Sequence, residues 1–309
     1  MQRYIFMRLV QTVLTVFLVA VIVFLLARVQ GNPADLLLPV EATQEDFARL
    51  EARLGLDQPW HVQFGRFIGN ALRGDLGDSI TEPGRSALGL VVMRLPATFH
   101  LAGVSLLIAA LIALPIGVFS AVKKGTTLDQ SGKIVAILGQ SVPAFWLGIM
   151  LIWLFAVQLG WFRTSGYQGY RDLVLPAFTL GWYHVAVVMR LTRSGMLESL
   201  DAEYVKLARL KGVPEWRVIW QHAFRNAAII PLTYFGIILA ALMTGAVVVE
   251  TVFSWPGTGR LAIDAVRRRD YPVVQATIMV FTVIFVLANL LVDIVYAFLD
   301  PRIRYGKRA

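Results

Sequence analysis

The chain has 309 residues, 57% hydrophobic and 16% charged, with 29 basic against 20 acidic side chains and no cysteine. So apolar a composition excludes an ordinary soluble domain, and the lack of cysteine removes disulfides, thiolate nucleophiles and cysteine-ligated metals. The formal charge of +9, which in a soluble protein would point to nucleic acid, belongs here at membrane-flanking positions, and no nucleic-acid partner is expected.

Residues 1–29 read as a first transmembrane helix with a cytoplasmic N-terminus. Leu9 to Ala27 is uncharged and predominantly apolar over 19 residues, close to the roughly 20 that cross a bilayer core. A secretory signal would have a shorter apolar region followed by a small-residue cleavage site, so the span is read as retained. Residues 30–95 are the one long polar stretch and predict a small periplasmic segment, with turn signals at Gly31-Asn32-Pro33, Gly55, Gly74 and Gly77. Thr43 and Asp46 have capping-box spacing, and Phe47, Leu50 and Leu54 give a helical stripe ending at Gly55. A second short helix is expected from Trp60 to Leu72.

Residues 96–300 predict a five-helix permease core with spans at Leu101–Val122, Ile134–Phe162, Leu173–Met189, Ala227–Val249 and Val273–Val292, all without Asp, Glu, Lys or Arg. Breaks are expected at Pro115-Ile116-Gly117, Pro143, Pro176 and Gly245, where neighbouring helices can satisfy the freed backbone groups. Gln140 and Ser141, beside Pro143, are candidates for lining a translocation pathway. The fold class is thus all-α, a polytopic membrane protein of six transmembrane helices, with a tail at 301–309.

Between the fourth and fifth of these six spans lies a charged segment, 197–226. Leu200, Tyr204, Leu207 and Ala208 recur at helical spacing, with Glu203, Lys206 and Arg209 opposite them. Gly212 suits the residue just past a helix end, and Pro214 suits the start of the next helix. Trp216, Ile219, Trp220 and Ala223 then give a second apolar stripe, with Arg217, Gln221 and Arg225 turned away. By periodicity alone this is an amphipathic bend lying on a membrane surface.

The string Ala208-Arg209-Leu210-Lys211-Gly212, followed by Val218, His222-Ala223, Arg225-Asn226-Ala227 and Pro231, resembles the EAA signature of ABC importer permeases. Lys206-Leu207 stands where the general pattern has Glu-Ala, so the likeness is to the peptide/nickel-type variant. Arg94-Leu95-Pro96-Ala97-Thr98, Ser141-Val142-Pro143-Ala144-Phe145-Trp146, Phe253-Ser254-Trp255-Pro256-Gly257-Thr258-Gly259-Arg260 and Arg269-Asp270-Tyr271-Pro272 extend it along the chain. The resemblance implies that Glu203, Ala208, Arg209, Lys211, Gly212, Pro214, His222, Arg225 and Asn226 form an ATPase-coupling segment. It also implies a second homologous permease, two cytoplasmic ATPase domains that bind the ATP, a periplasmic substrate-binding protein and a bacterial inner-membrane location. Peptides are the implied cargo, with glutathione or nickel complexes as alternatives.

All six lysines fall on the side that holds both termini and segment 197–226, which places that side in the cytoplasm. The run Arg267-Arg268-Arg269, flanked by Asp264 and Asp270, departs from this rule. No GxxxxGK[ST] loop occurs, so the chain is expected to hold no ATP site or other cofactor. The four histidines are scattered and no metal site is expected. A secondary transporter would carry ionisable groups within its spans, and the spans carry none of the four charged types.

Overall fold

The computed structural model describes residues 2–29, 42–243 and 246–299. The expected turn at Gly31-Asn32-Pro33, the break at Gly245 and the tail 301–309 lie outside the described residues. In chain order the helices begin with α1 (Gln2–Val29), α2 (Gln44–Leu54), α3 (Trp60–Leu72) and α4 (Ala87–Val122). Next come α5 (Thr127–Ser141), α6 (Ala144–Leu151), which runs on as a π-helical stretch Ile152–Gln158, and α7 (Val174–Leu200). Then follow α8 (Glu203–Leu210), α9 (Glu215–Arg217), a π-helical stretch Val218–Ala223, and α10 (Phe224–Ala227). The last are α11 (Ile229–Met243), α12 (Val247–Val252), α13 (Thr258–Arg267) and α14 (Tyr271–Leu299). Two compact units form, one from residues up to Pro96 with those from Gly257, the other Ala97–Pro256.

Among the described residues four helices are long and apolar enough to cross a membrane, or five if the bent pair α5–α6 is one span. That pair turns by 104° at Val142-Pro143, where proline cannot continue the ladder and biases the residue before it to extended geometry. Pro115 causes no such break. It sits inside the continuous helix α4, where a single lost hydrogen bond is flanked by intact turns. The expected span Ala227–Val249 is divided between α11, at 15 residues shorter than a full crossing, and α12.

In the second unit α7 is the central helix. Its Val185, Val188 and Met189 pack with Ala109 and Ala113 of α4 and Ala136 of α5. Small residues let these backbones approach: a Cβ added at Gly181 would lie 2.7 Å from the Ser105 carbonyl oxygen, and at Gly139 it would lie 2.6 Å from Ala186 Cβ. Towards the α12 end, buried Trp255 donates from its indole nitrogen to the Ala97 carbonyl at 3.0 Å, and Thr98 donates to buried Glu250 at 2.9 Å.

In the first unit the capping box forms as the spacing predicts. Asp46 accepts from the Thr43 amide at 3.0 Å, and Gly55 closes α2 at φ +69°. The buried Gln63 amide then fixes the turn into α3, donating to the Leu56 and Gln58 carbonyls at 3.0 and 2.7 Å and accepting from Arg28 Nε at 2.9 Å. Phe64 of α3 lies against Phe17 and Phe24 of α1, with centroids 5.9 and 5.3 Å apart.

The same unit contains an unforeseen clamp. Asp270, which flanks the arginine run in the sequence, turns inward and is 1% exposed. It accepts from the hydroxyls of Ser79 and Thr81 and from the amides of Ile80 and Thr81, the last two at 3.2 and 3.1 Å. Arg269 takes a left-handed backbone, φ 57°, at the end of α13 to allow this. Burial alone would push the Asp270 carboxyl up, but these donors outweigh it and hold it below the ordinary carboxylate range.

A depressed carboxyl stabilises the fold above its unfolded value and loses that contribution as pH falls through the folded one. Amide protection at Ile80 and Thr81, corrected for intrinsic exchange, should therefore be level from neutral pH down to about pH 5 and fall below about pH 4. Asp270→Asn should cut it about tenfold at neutral pH. Unchanged protection in the variant would show that the clamp does not hold the segment.

Candidate functional site

Helix α8 ends as its sequence requires. Gly212 adopts φ +75°, its amide bonds to the Arg209 carbonyl at 3.0 Å, and the Val213 amide reaches back to Ala208 at 3.2 Å, the pair of bonds that closes a helix through a left-handed residue. Pro214 occupies the N-cap of α9. Across this bend Glu215 accepts from Arg209 Nη2 at 2.7 Å and Nε at 3.3 Å, and the carboxylate raises the guanidinium above its ordinary value. Both groups are well exposed, so the pair fixes geometry more than it adds stability.

The segment buries only part of the face its periodicity indicated: Ala208 and Ala223 are in the core and Leu200 and Ile219 pack against it, joined by Val205 and Val218. Val205 and Ala208 of α8, with Val218, Ala223 and Ala227, are buried with Met196 of α7 and Val118 and Ala121 of α4. Tyr204 and Leu207, expected on the apolar side, are exposed, as are Trp216 and Trp220. Small and β-branched side chains at Val205 and Ala208 allow the short helix to sit close against the ends of α4 and α7. A Cβ added at Gly195 of α7 would lie only 3.1 Å from the Ala227 carbonyl oxygen.

The outer face is therefore mixed. Leu210, 84% exposed, and Leu207 and Trp216 stand among exposed Glu203, Arg209, Lys211, Gly212, Pro214 and Arg225. Arg217 lies 5.2 Å over the Trp216 ring, while Trp220 meets Phe119 and Phe224 edge-on. His222 is half-buried, and exposed Asn226 donates to its carbonyl at 3.3 Å. Ala208 alone of the nine sequence candidates is buried. Gln140 and Ser141 are not part of this surface, and each donates to the carbonyl four residues before it, at 3.3 and 2.8 Å.

Sequence reasoning missed Asp129. Its side chain is fully buried and accepts from Arg193 through both oxygens, at 2.7 and 3.1 Å, from Ser120 Oγ at 2.7 Å and from the Gly125 amide at 3.0 Å. Lys133 approaches to 3.0 Å. One carboxylate thus ties the end of α4 and the start of α5 to α7 beside Met196, and α4 and α7 are the helices on which the segment rests. Its i,i+4 spacing to Lys133 was visible, but Arg193 is 64 residues away and no local pattern links them.

The pair should be energetically coupled. Asp129→Asn and Arg193→Gln should each lower the thermal midpoint of the purified protein, and the double variant should lose clearly less than the two combined. Additive losses would show that the contact carries no coupling.

Residues 113–305 match the family described as binding-protein-dependent transport system inner membrane component, and residues 1–102 match the N-terminal part of such components. The chain is 41% identical over 306 residues to the glutathione transport system permease protein GsiC of Salmonella paratyphi A, spanning 99% of this chain and 100% of that one. It is 40% identical, with the same coverage, to the proteins of that name from Salmonella typhimurium LT2 and Escherichia coli K12. A crystal structure of an amino acid ABC transporter with histidines aligns at TM-score 0.51 and 16% identity, covering 68% of this chain and 94% of that one, which indicates a shared fold.

Proposed function

The chain belongs to the family of inner membrane components of binding-protein-dependent transport systems, the permeases of ABC importers, and on that footing we propose its cargo, its partners and its coupling surface. The cargo is a small peptide, with the tripeptide glutathione first in line. Full-length identity of 41% to permeases named for glutathione transport supports this.

The segment Glu203–Ala227 is the coupling surface. The observation that carries this reading is its two-sided construction: an inner face of Val205, Ala208, Val218 and Ala223 locked to the ends of α4 and α7, and an outer face of exposed Leu207, Leu210 and Trp216 among charges. An apolar patch rimmed by charge suits a protein partner better than lipid or water. Separate ATPase domains bind and hydrolyse the ATP, one docking here and the other on a second, homologous permease. The lysine distribution supports a cytoplasmic location for this surface and for both termini, with the polar segment after α1 in the periplasm, where the solute-binding protein delivers cargo.

Gly212 gives the test. An added Cβ there meets nothing within 4 Å, so Gly212→Val or Gly212→Glu should cost about 1 kcal/mol through its left-handed backbone alone. Assembly should survive. ATP hydrolysis stimulated by the binding protein in proteoliposomes should fall roughly tenfold or more, an interface loss of at least about 1.4 kcal/mol. Wild-type stimulation by an intact Gly212→Glu complex would contradict the coupling role.

A further inference from the structure

Three stretches singled out in the sequence have no part in the segment above: Arg94-Leu95-Pro96, Gly259-Arg260 and Arg269-Asp270-Tyr271-Pro272. They converge in the first unit on a cavity of about 260 Å³. Three arginines line it, Arg94, Arg260 and Arg268, with three carboxylates, Glu82, Asp264 and Asp270. The numbers balance but the availability does not. Glu82 is held by Arg85 at 3.0 Å, Asp264 lies 3.6 Å from Arg260, and Asp270 is taken up by Ser79, Ile80 and Thr81. Arg94 is half-buried and, among the described residues, has no hydrogen bond or ion pair.

A guanidinium in that position has lost part of its hydration without gaining an acceptor. Its planar fork is matched by a carboxylate, which can accept two of its N–H groups in parallel. An ammonium group would find every lining carboxylate already engaged. A free peptide, which carries both charges, is therefore a poorer fit than an acidic side chain, which brings a carboxylate alone. Exposed Thr81 and Arg268 stand at the cavity, so such a side chain can enter from outside.

We propose that this cavity receives a carboxylate side chain of the solute-binding protein, with Arg94 as its anchor and Arg268 at its rim. The inference rests on the reading that the chain works with such a protein and that Thr81 and Glu82 lie in the periplasm. It assigns a docking contact to residues that the coupling surface leaves unused.

The test uses the whole transporter in nanodiscs and the solute-binding protein encoded with it, with affinity measured at low and high salt. At low salt Arg94→Gln should weaken association about tenfold and Arg268→Gln about threefold, with Arg94→Lys between wild type and Arg94→Gln. The effect of exposed Arg268→Gln should fade near 0.5 M salt, where the Debye length falls to roughly 4 Å, while that of half-buried Arg94→Gln should largely persist. Basal ATP hydrolysis without the binding protein should not change. Equal low-salt affinity of wild type and both Gln variants would overturn this inference and leave the proposed function standing. Wild-type transporter that binds no solute-binding protein would overturn both. Failed assembly of the Arg94→Gln complex, with normal association by Arg268→Gln, would assign Arg94 to packing and overturn the docking role.

Discussion

The bent segment is anchored to the membrane helices by a small apolar contact, Val205, Ala208, Val218 and Ala223 against Met196, Val118 and Ala121, and the proposed coupling role depends on that contact. A segment floating on the membrane surface would absorb a push by sliding. One whose buried face interlocks with two helix ends transmits it, because packed side chains deform little before they must repack. Asp129 makes the receiving end stiffer. By joining Ser120 of α4 and Arg193 of α7 to the start of α5, it ties three helices together immediately beside the cluster.

Holding the inner face by small residues leaves the larger ones outside. Leu207, Leu210 and Trp216 remain exposed, while the Arg209–Glu215 pair bridges the two arms of the bend. The outer surface is thus shaped before any partner arrives, which lowers the ordering cost of association. Gly212 concentrates this design in one residue, since its left-handed backbone sets the angle and the absence of a side chain keeps the bend open.

Local chemistry was legible in the sequence wherever it decides the structure. The Thr43–Asp46 capping box, the helix Trp60–Leu72, the break at Pro143 and the positive φ of Gly212 follow from residue types at fixed spacing. The buried face of α8 was legible only in part: Ala208 was placed on it, but Leu207 and Val205 are equally apolar and only the neighbouring helix ends choose between them. Asp129–Arg193 and Asp270–Ser79 were hidden for a related reason. Their partners are 64 and 191 residues apart, and a single charged residue in a loop reads as solvated until the fold closes around it. Pro115 misled in the opposite sense, since a long apolar helix carries a proline without breaking.

The central claim is that the outer face of Glu203–Ala227 is covered by an ATPase subunit. A photo-reactive side chain at Leu210, with one at exposed Leu111 in the apolar helix α4 as control, tests it directly in the assembled transporter. Crosslinking from position 210 to the ATPase subunit, changed in yield by ATP, and to lipid alone from position 111, is the predicted result. Crosslinking from position 210 to lipid alone would contradict the account.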